Sequence, residues 1–163
     1  MTGVIFIRTM NLIIGCDHRG VVLRDFLGDY LRDKGYPVID VTCNEHANNG
    51  NGVDYPDIAK IVAAEVSAGR VNRGILICGS SIGMCIVANK FPGVRAAPCH
   101  NEILAELCRR HNDANVLCLP GDLLGEQSSI PIVEKWLTTD FVGGRHQDRI
   151  DKISHYEKCC PVG

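Results

Sequence analysis

Short apolar runs alternate along this chain with longer stretches in which apolar residues recur at helical spacing. Leu12 to Cys16 is continuously apolar and reads as a buried strand. Val21 to Lys34 brings Val22, Leu23, Phe26, Leu27, Tyr30 and Leu31 close to one helical face, and Gly35 suits the helix end. Further strands are predicted at Val38 to Val41, Gly74 to Cys78, Val94 to Ala97 and Val116 to Leu119. Further helices are predicted at Pro56 to Ala68, Met84 to Lys90, Glu102 to Arg110, Ser129 to Leu137 and about Gln147 to Lys158. Strands and helices in this alternation predict a single doubly wound, Rossmann-like α/β domain. Its five-stranded parallel sheet would be covered on both faces and followed by a C-terminal helix. Residues 10–158 would form that domain, 1–9 an N-terminal extension or a short added strand, and 159–163 a tail. Thr42 to Gly52 is polar and rich in Asn and Gly, and reads as a loop.

Cys78 is the most informative residue. It ends an apolar strand and is followed by the small-residue turn Gly79-Ser80-Ser81-Ile82-Gly83. The carboxyl ends of strands are where open α/β sheets bind ligands. Free N–H groups in such a turn favour an anion and make a nearby thiol more reactive. Asp17-His18 follow the first strand directly, so a carboxylate and an imidazole face the same crevice if the strands are neighbours; a capping turn is the alternative. Asp54-Tyr55-Pro56-Asp57 opens a helix with Pro at its first position, and Tyr55 could stack on or hydrogen-bond a ligand. His111-Asn112-Asp113 precedes the fifth strand; a capping turn accounts for Asn112 and Asp113 but does not require His111. Arg145 and Arg149 are one helical turn apart, which suits a phosphate but equally suits a solvated pair bridged to Asp148 or Asp151.

Composition narrows the function classes. The 163 residues have a formal net charge of -2, which leaves no footprint for nucleic acid, and no apolar run is long enough for a membrane span. Nine cysteines, mostly inside apolar segments and with no C-x-x-C pair, predict reduced core thiols, no zinc site, and a reducing cytoplasmic setting. A cysteine-phosphatase loop needs Arg six residues after the cysteine, where this chain has Met84. Neither a P-loop nor a G-x-G-x-x-G turn after the first strand is present.

Taken together, Gly15-Cys16-Asp17-His18, Asp54-Tyr55-Pro56-Asp57, Gly74-Ile75-Leu76-Ile77-Cys78-Gly79, Ala88-Asn89-Lys90, His111-Asn112-Asp113-Ala114-Asn115-Val116-Leu117 and Gly143-Gly144-Arg145-His146 resemble the type B ribose-5-phosphate isomerase family, with its related galactose- and allose-phosphate isomerases. The resemblance covers residues 10 to about 155. It implies aldose–ketose isomerisation of a sugar phosphate, ribose 5-phosphate first. It further implies no metal or other cofactor, and a homodimer (with a tetramer left open) whose active sites lie between subunits. Cys78 would be the base, and Ser80 with the N–H groups of Gly79, Ser81 and Gly83 would hold the enediolate oxygen. His111 of the partner subunit would open the sugar ring. Asp17 and Asn112 would hold hydroxyls, and His18, Arg145 and Arg149 the phosphate. Two positions depart from the family pattern. Ser81 stands where glycine is common, and Asp122 where many members have Arg. An acid touching a phosphate costs about 1 kcal/mol or more in partly wet surroundings. Those departures keep open an isomerase for another or an unphosphorylated sugar, and a sugar-phosphate binding protein without catalysis.

Overall fold

The structure, a computed structural model, describes residues 10–41 and 54–159. The extension at 1–9, the polar loop at 42–52 and the tail beyond Cys159 lie outside the described residues. In chain order the elements are β1 (Leu12–Cys16), α1 (Val21–Asp33), β2 (Val38–Asp40), α2 (Tyr55–Ser67), β3 (Arg73–Cys78), α3 (Ile82–Ala88), β4 (Ala96–Pro98), α4 (Glu102–Asn112), β5 (Val116–Pro120), α5 (Glu126–Thr138) and α6 (Arg145–Cys159). All strand pairings are parallel, in the order β2-β1-β3-β5-β4. The chain goes outward from β1 to β2 and then returns to the other side of β1 for β3. The order therefore reverses between β1 and β3, and a crevice opens at their carboxyl ends.

The sheet is buried on both faces because alternate side chains point opposite ways. Leu12, Ile14, Cys16, Ile75, Ile77, Leu117 and Leu119 pack on one face with α1, α4 and α5. Ile13, Leu76, Cys78, Val116 and Cys118 pack on the other with α2 and α3. Helices α1 and α2 end as the sequence predicts. Gly35 and Gly69 take left-handed backbone (φ +86° and +68°), and the next residues' N–H groups reach back to Leu31 and Glu65 carbonyls at 3.0 and 3.1 Å. No helix among the described residues is long and apolar enough to cross a membrane.

Several boundaries differ from expectation. Helix α3 begins at Ile82 rather than Met84, because Ser81 already closes the turn. Strand β4 begins at Ala96, since the Val94 N–H is used in a turn to Phe91 O (3.1 Å) and the Arg95 N–H by the Asn115 side chain (2.8 Å). Helix α5 starts at Glu126, its first turn being polar and exposed and so silent in apolar periodicity, and α6 runs one residue into the stretch read as tail.

Trp136 anchors the α5 face. It is fully buried, its Nε1 donates to Ala114 O at 3.1 Å, and the Arg73 guanidinium lies 5.2 Å from its ring. Arg73 also donates to the Trp136 and Leu137 carbonyls at 2.7 and 3.1 Å, satisfying the end of α5. Burial pushes the Arg73 pKa down to about 10, with Arg109 adding to the effect, so the group stays charged at neutral pH. Trp136→Ala is expected to lower the unfolding free energy by about 3–5 kcal/mol. The measurement is the urea midpoint, and a loss below about 1 kcal/mol would contradict this packing.

Candidate active site

The parallel register puts Cys16 opposite Ile77 and Cys78 opposite Pro120, so β1, β3 and β5 end side by side. Their following turns are laced together. Asp17 N–H donates to Ile77 O (3.1 Å), Gly121 N–H to Cys78 O (2.8 Å) and Asp122 N–H to Gly79 O (3.2 Å). Cys78 and Asp17 are almost covered, with 5% and 7% exposed. One Asp17 oxygen accepts the Arg19 N–H at 2.9 Å, which turns the chain after β1. An open cleft of ≈ 580 Å³ lies over these strand ends, lined by Asp17, Tyr55, Cys78, Gly79, Ser80 and Gly83 of the predicted set.

Two glycines let the cleft close tightly. A Cβ on Gly83 would lie 2.6 Å from the Tyr55 ring, so glycine there allows Tyr55 to rest on the first turn of α3. A Cβ on Gly79 would lie 2.7 Å from Asp122 Oδ2 and 3.0 Å from Arg19 Nε. Arg19, Asp122, Ile82 and Ile86 complete the lining, and none of them belonged to the predicted site set. The signal for Arg19 was present as a cation in the turn after β1. Its neighbour His18 is exposed and does not line the cleft, because the Asp17–Arg19 turn brings Arg19 against Gly79 instead. Asp122 is not the lone acid that its position suggested: Arg19 Nε and Nη2 donate to its Oδ2 at 2.7 and 2.6 Å. The expected repulsion toward an anion is therefore largely compensated within the pair.

His111, Asn112, Arg145 and Arg149 of the predicted set lie at the other end of the sheet. Helix α4 runs antiparallel to the strands, so His111 and Asn112 precede β5 at its amino end. Arg145 and Arg149 open α6 beside them, where Val142 N–H donates to Arg110 O at 3.1 Å. Asn112 lines a separate hollow of ≈ 400 Å³ with Ile153 and Tyr156. At about 3.3 Å per residue, the length of β5 keeps this group roughly 13 Å or more from the cleft of the same chain. His111 stacks flat on His146, with ring centroids 4.3 Å apart and planes 1° from parallel. No three His, Cys, Asp or Glu side chains are grouped as a metal site among the described residues.

A family model described as ribose/galactose isomerase matches residues 12–153. The chain belongs to this family. Within the ribose/galactose isomerases it is 40% identical over 148 residues to ribose-5-phosphate isomerase B of Escherichia coli, across 91% of this chain and 97% of that protein. It is 38% identical over 148 residues to D-erythrulose-4-phosphate isomerase of Pectobacterium atrosepticum, across 91% and 95%. The structure of ribose-5-phosphate isomerase B from Mycoplasma genitalium with bound ribulose-5-phosphate matches with a TM-score of 0.85 at 42% identity, across 92% of this chain and 97% of that one.

Ser81, read from the sequence as a departure from a glycine, carries a conformational cost. Its φ is +67°, it is fully buried, and its Oγ has no hydrogen-bond partner among the described residues. Left-handed backbone costs a non-glycine residue about 1–2 kcal/mol, and an unpaired buried hydroxyl about 1–3 kcal/mol. Glycine's extra unfolded-state freedom offsets only about 0.5–1 kcal/mol. Ser81→Gly is therefore expected to stabilise the fold by about 1 kcal/mol, read as a higher denaturant midpoint; an unchanged or lower midpoint would contradict the strain.

His146 has a pKa lowered mainly by desolvation, then by His111, Arg145, Arg149 and Arg110. The unfolded chain takes up this proton near pH 6.5 while the native state resists it. The stability tied to neutral His146 is thus present above about pH 6.5 and declines as pH falls below it. The thermal midpoint should fall more steeply with acidification in the native sequence than in His146→Asn; equal slopes would contradict it.

Proposed function

We propose that this chain is an aldose–ketose isomerase of a sugar phosphate, with ribose 5-phosphate and ribulose 5-phosphate as its pair. The observation that carries this is the Cys78 thiol at the end of β3, flanked by Asp17 and by the Gly79–Ser80 turn in one cleft. The family and the ribulose-5-phosphate complex of a relative support the same chemistry. As thiolate, Cys78 removes the proton from the carbon beside the carbonyl and returns it to the neighbouring carbon. Ser80 Oγ and the N–H groups of Gly79, Ser81 and Gly83 meet the negative oxygen of the enediolate between these steps. Asp17 keeps one carboxylate oxygen for a sugar hydroxyl, and Tyr55 closes the side of the cleft.

Ring opening, the second hydroxyl contact and the phosphate fall to His111, Asn112, Arg145 and Arg149. Their separation from Cys78 within one chain supports a homodimer in which each cleft is completed by His111 of the partner subunit and its neighbours. Ile82 and Ile86 support this arrangement, each leaving 57% of its surface exposed at the lip of the cleft. The unbridged thiols of Cys78, Cys85, Cys99, Cys108 and Cys118 suit a reducing compartment such as the cytosol.

In deuterated water, ribose 5-phosphate should convert to ribulose 5-phosphate with deuterium entering beside the carbonyl. Cys78→Ala should lose about 10²–10⁴-fold in kcat while still binding ligand. His111→Ala should also be inactive. Refolding the two variants together should restore about one quarter of native activity, because half of the dimers are mixed and each mixed dimer holds one intact site. Absence of restored activity would contradict the shared site, and undiminished turnover in Cys78→Ala would contradict the base.

A further inference from the structure

Arg19 is the one cation among the described residues that line the cleft, where the other formal charges are the carboxylates of Asp17 and Asp122. Its placement is fixed twice. The backbone N–H is held by Asp17 Oδ1 at 2.9 Å, and the guanidinium leans on Asp122 Oδ2 through Nε and Nη2 at 2.7 and 2.6 Å. The two turns that carry the pair are themselves joined through β3, because Gly121 and Asp122 N–H groups bond the Cys78 and Gly79 carbonyls. The pair therefore rides on the strand that bears the thiol and keeps a set distance from it. The side chain of Arg19 is still 55% exposed, and its Nη1 engages no protein group among the described residues. A guanidinium pinned on one edge and open on the other presents donors in a fixed fork, the geometry that suits phosphate and carboxylate oxygens.

We propose that Arg19 is a specificity-determining residue that takes the anionic end of the substrate, and that Asp122 is the positioning residue that aims it. The assignment rests on the sugar-phosphate reading above and adds to it a cation supplied by the same chain as the thiol. Asp122 acts through Arg19 and not on the ligand. Alone, its charge would repel a phosphate; paired, it holds the fork in place. The two carboxylates also explain why Arg19 matters more than its exposure suggests, since removing it leaves the described lining contributed by the thiol-bearing chain with negative charge only.

The test uses the full chain and ribitol 5-phosphate, which cannot isomerise, with ribitol as the uncharged control. Arg19→Ala should weaken ribitol 5-phosphate about 20-fold in Kd, leave the far weaker ribitol signal unchanged, and raise KM for ribose 5-phosphate far more than it lowers kcat. Arg19→Lys should recover part of the loss. Asp122→Ala should weaken ribitol 5-phosphate binding in the native background but strengthen it in the Arg19→Ala background, a reversal of sign that a merely structural role would not produce. Thermal midpoints establish that each variant is folded. If the Arg19→Ala Kd stays within about twofold of native while the native chain turns over ribose 5-phosphate, the Arg19 assignment is overturned and the isomerase stands. If the native chain binds ribitol 5-phosphate in an Arg19-dependent way but converts no ribose 5-phosphate, Arg19 stands and the isomerase does not. Loss of binding from Asp122→Ala in both backgrounds would overturn its positioning role.

Discussion

Strand β3 is hydrogen-bonded along both edges, to β1 and to β5, and the cleft depends on that double pairing. Parallel register sets how far each neighbour extends past the sheet. Asp17 on one side and Gly121-Asp122 on the other therefore come level with Cys78 and Gly79. The pleat then decides which way the thiol points. Alternate residues of β3 face opposite helix layers, and Cys78 shares the face of Leu76, under α2 and α3. A one-residue slip would turn Cys78 toward α1 and α5 and away from the Gly79–Gly83 turn. The position of the reactive sulfur is thus a property of sheet register first and of local turn chemistry second.

The strands, helices and strand-end chemistry were legible because each has a local signature. Continuous apolar runs marked β1, β3 and β5, and glycines at 35 and 69 marked helix ends whose left-handed backbone the structure contains. Cys78, Asp17, Tyr55 and Ser80 could be grouped because strand ends in such a sheet face one crevice. Boundaries were less legible where polar groups replaced ladder bonds, as at Arg95 and Asn115 ahead of β4. The partnership of Arg19 with Asp122 was not legible at all. The two lie 103 positions apart, and only the adjacency of the β1 and β5 turns around β3 joins them.

The described chain divides its polar chemistry between two ends of one sheet. The thiol end is held by backbone bonds between turns. The His111–His146 end is held by helix packing, with α4 and α6 meeting through a flat stack of two imidazoles. In the proposed reading, neither end alone holds all the groups assigned to the sugar phosphate. In the two-fold dimer proposed above, each end would meet the opposite end of the partner copy, and subunit pairing would then serve the chemistry as well as stability. The exposed Ile82 and Ile86 at the cleft lip then have a use that a solitary chain does not give them.

Because β3 is central, buried on both faces and paired on both edges, its amides exchange with solvent only when the whole sheet opens. The sulfur of Cys78 is tethered to that most protected unit. Arg19, Asp122 and Tyr55 belong instead to turns and a helix start, which can open on their own. The proposed base and the proposed selectivity groups are therefore tied to different unfolding events in one small domain. In the proposed reading, the turns can change, and with them the charge they carry, while the Cys78 thiol stays where global cooperativity holds it.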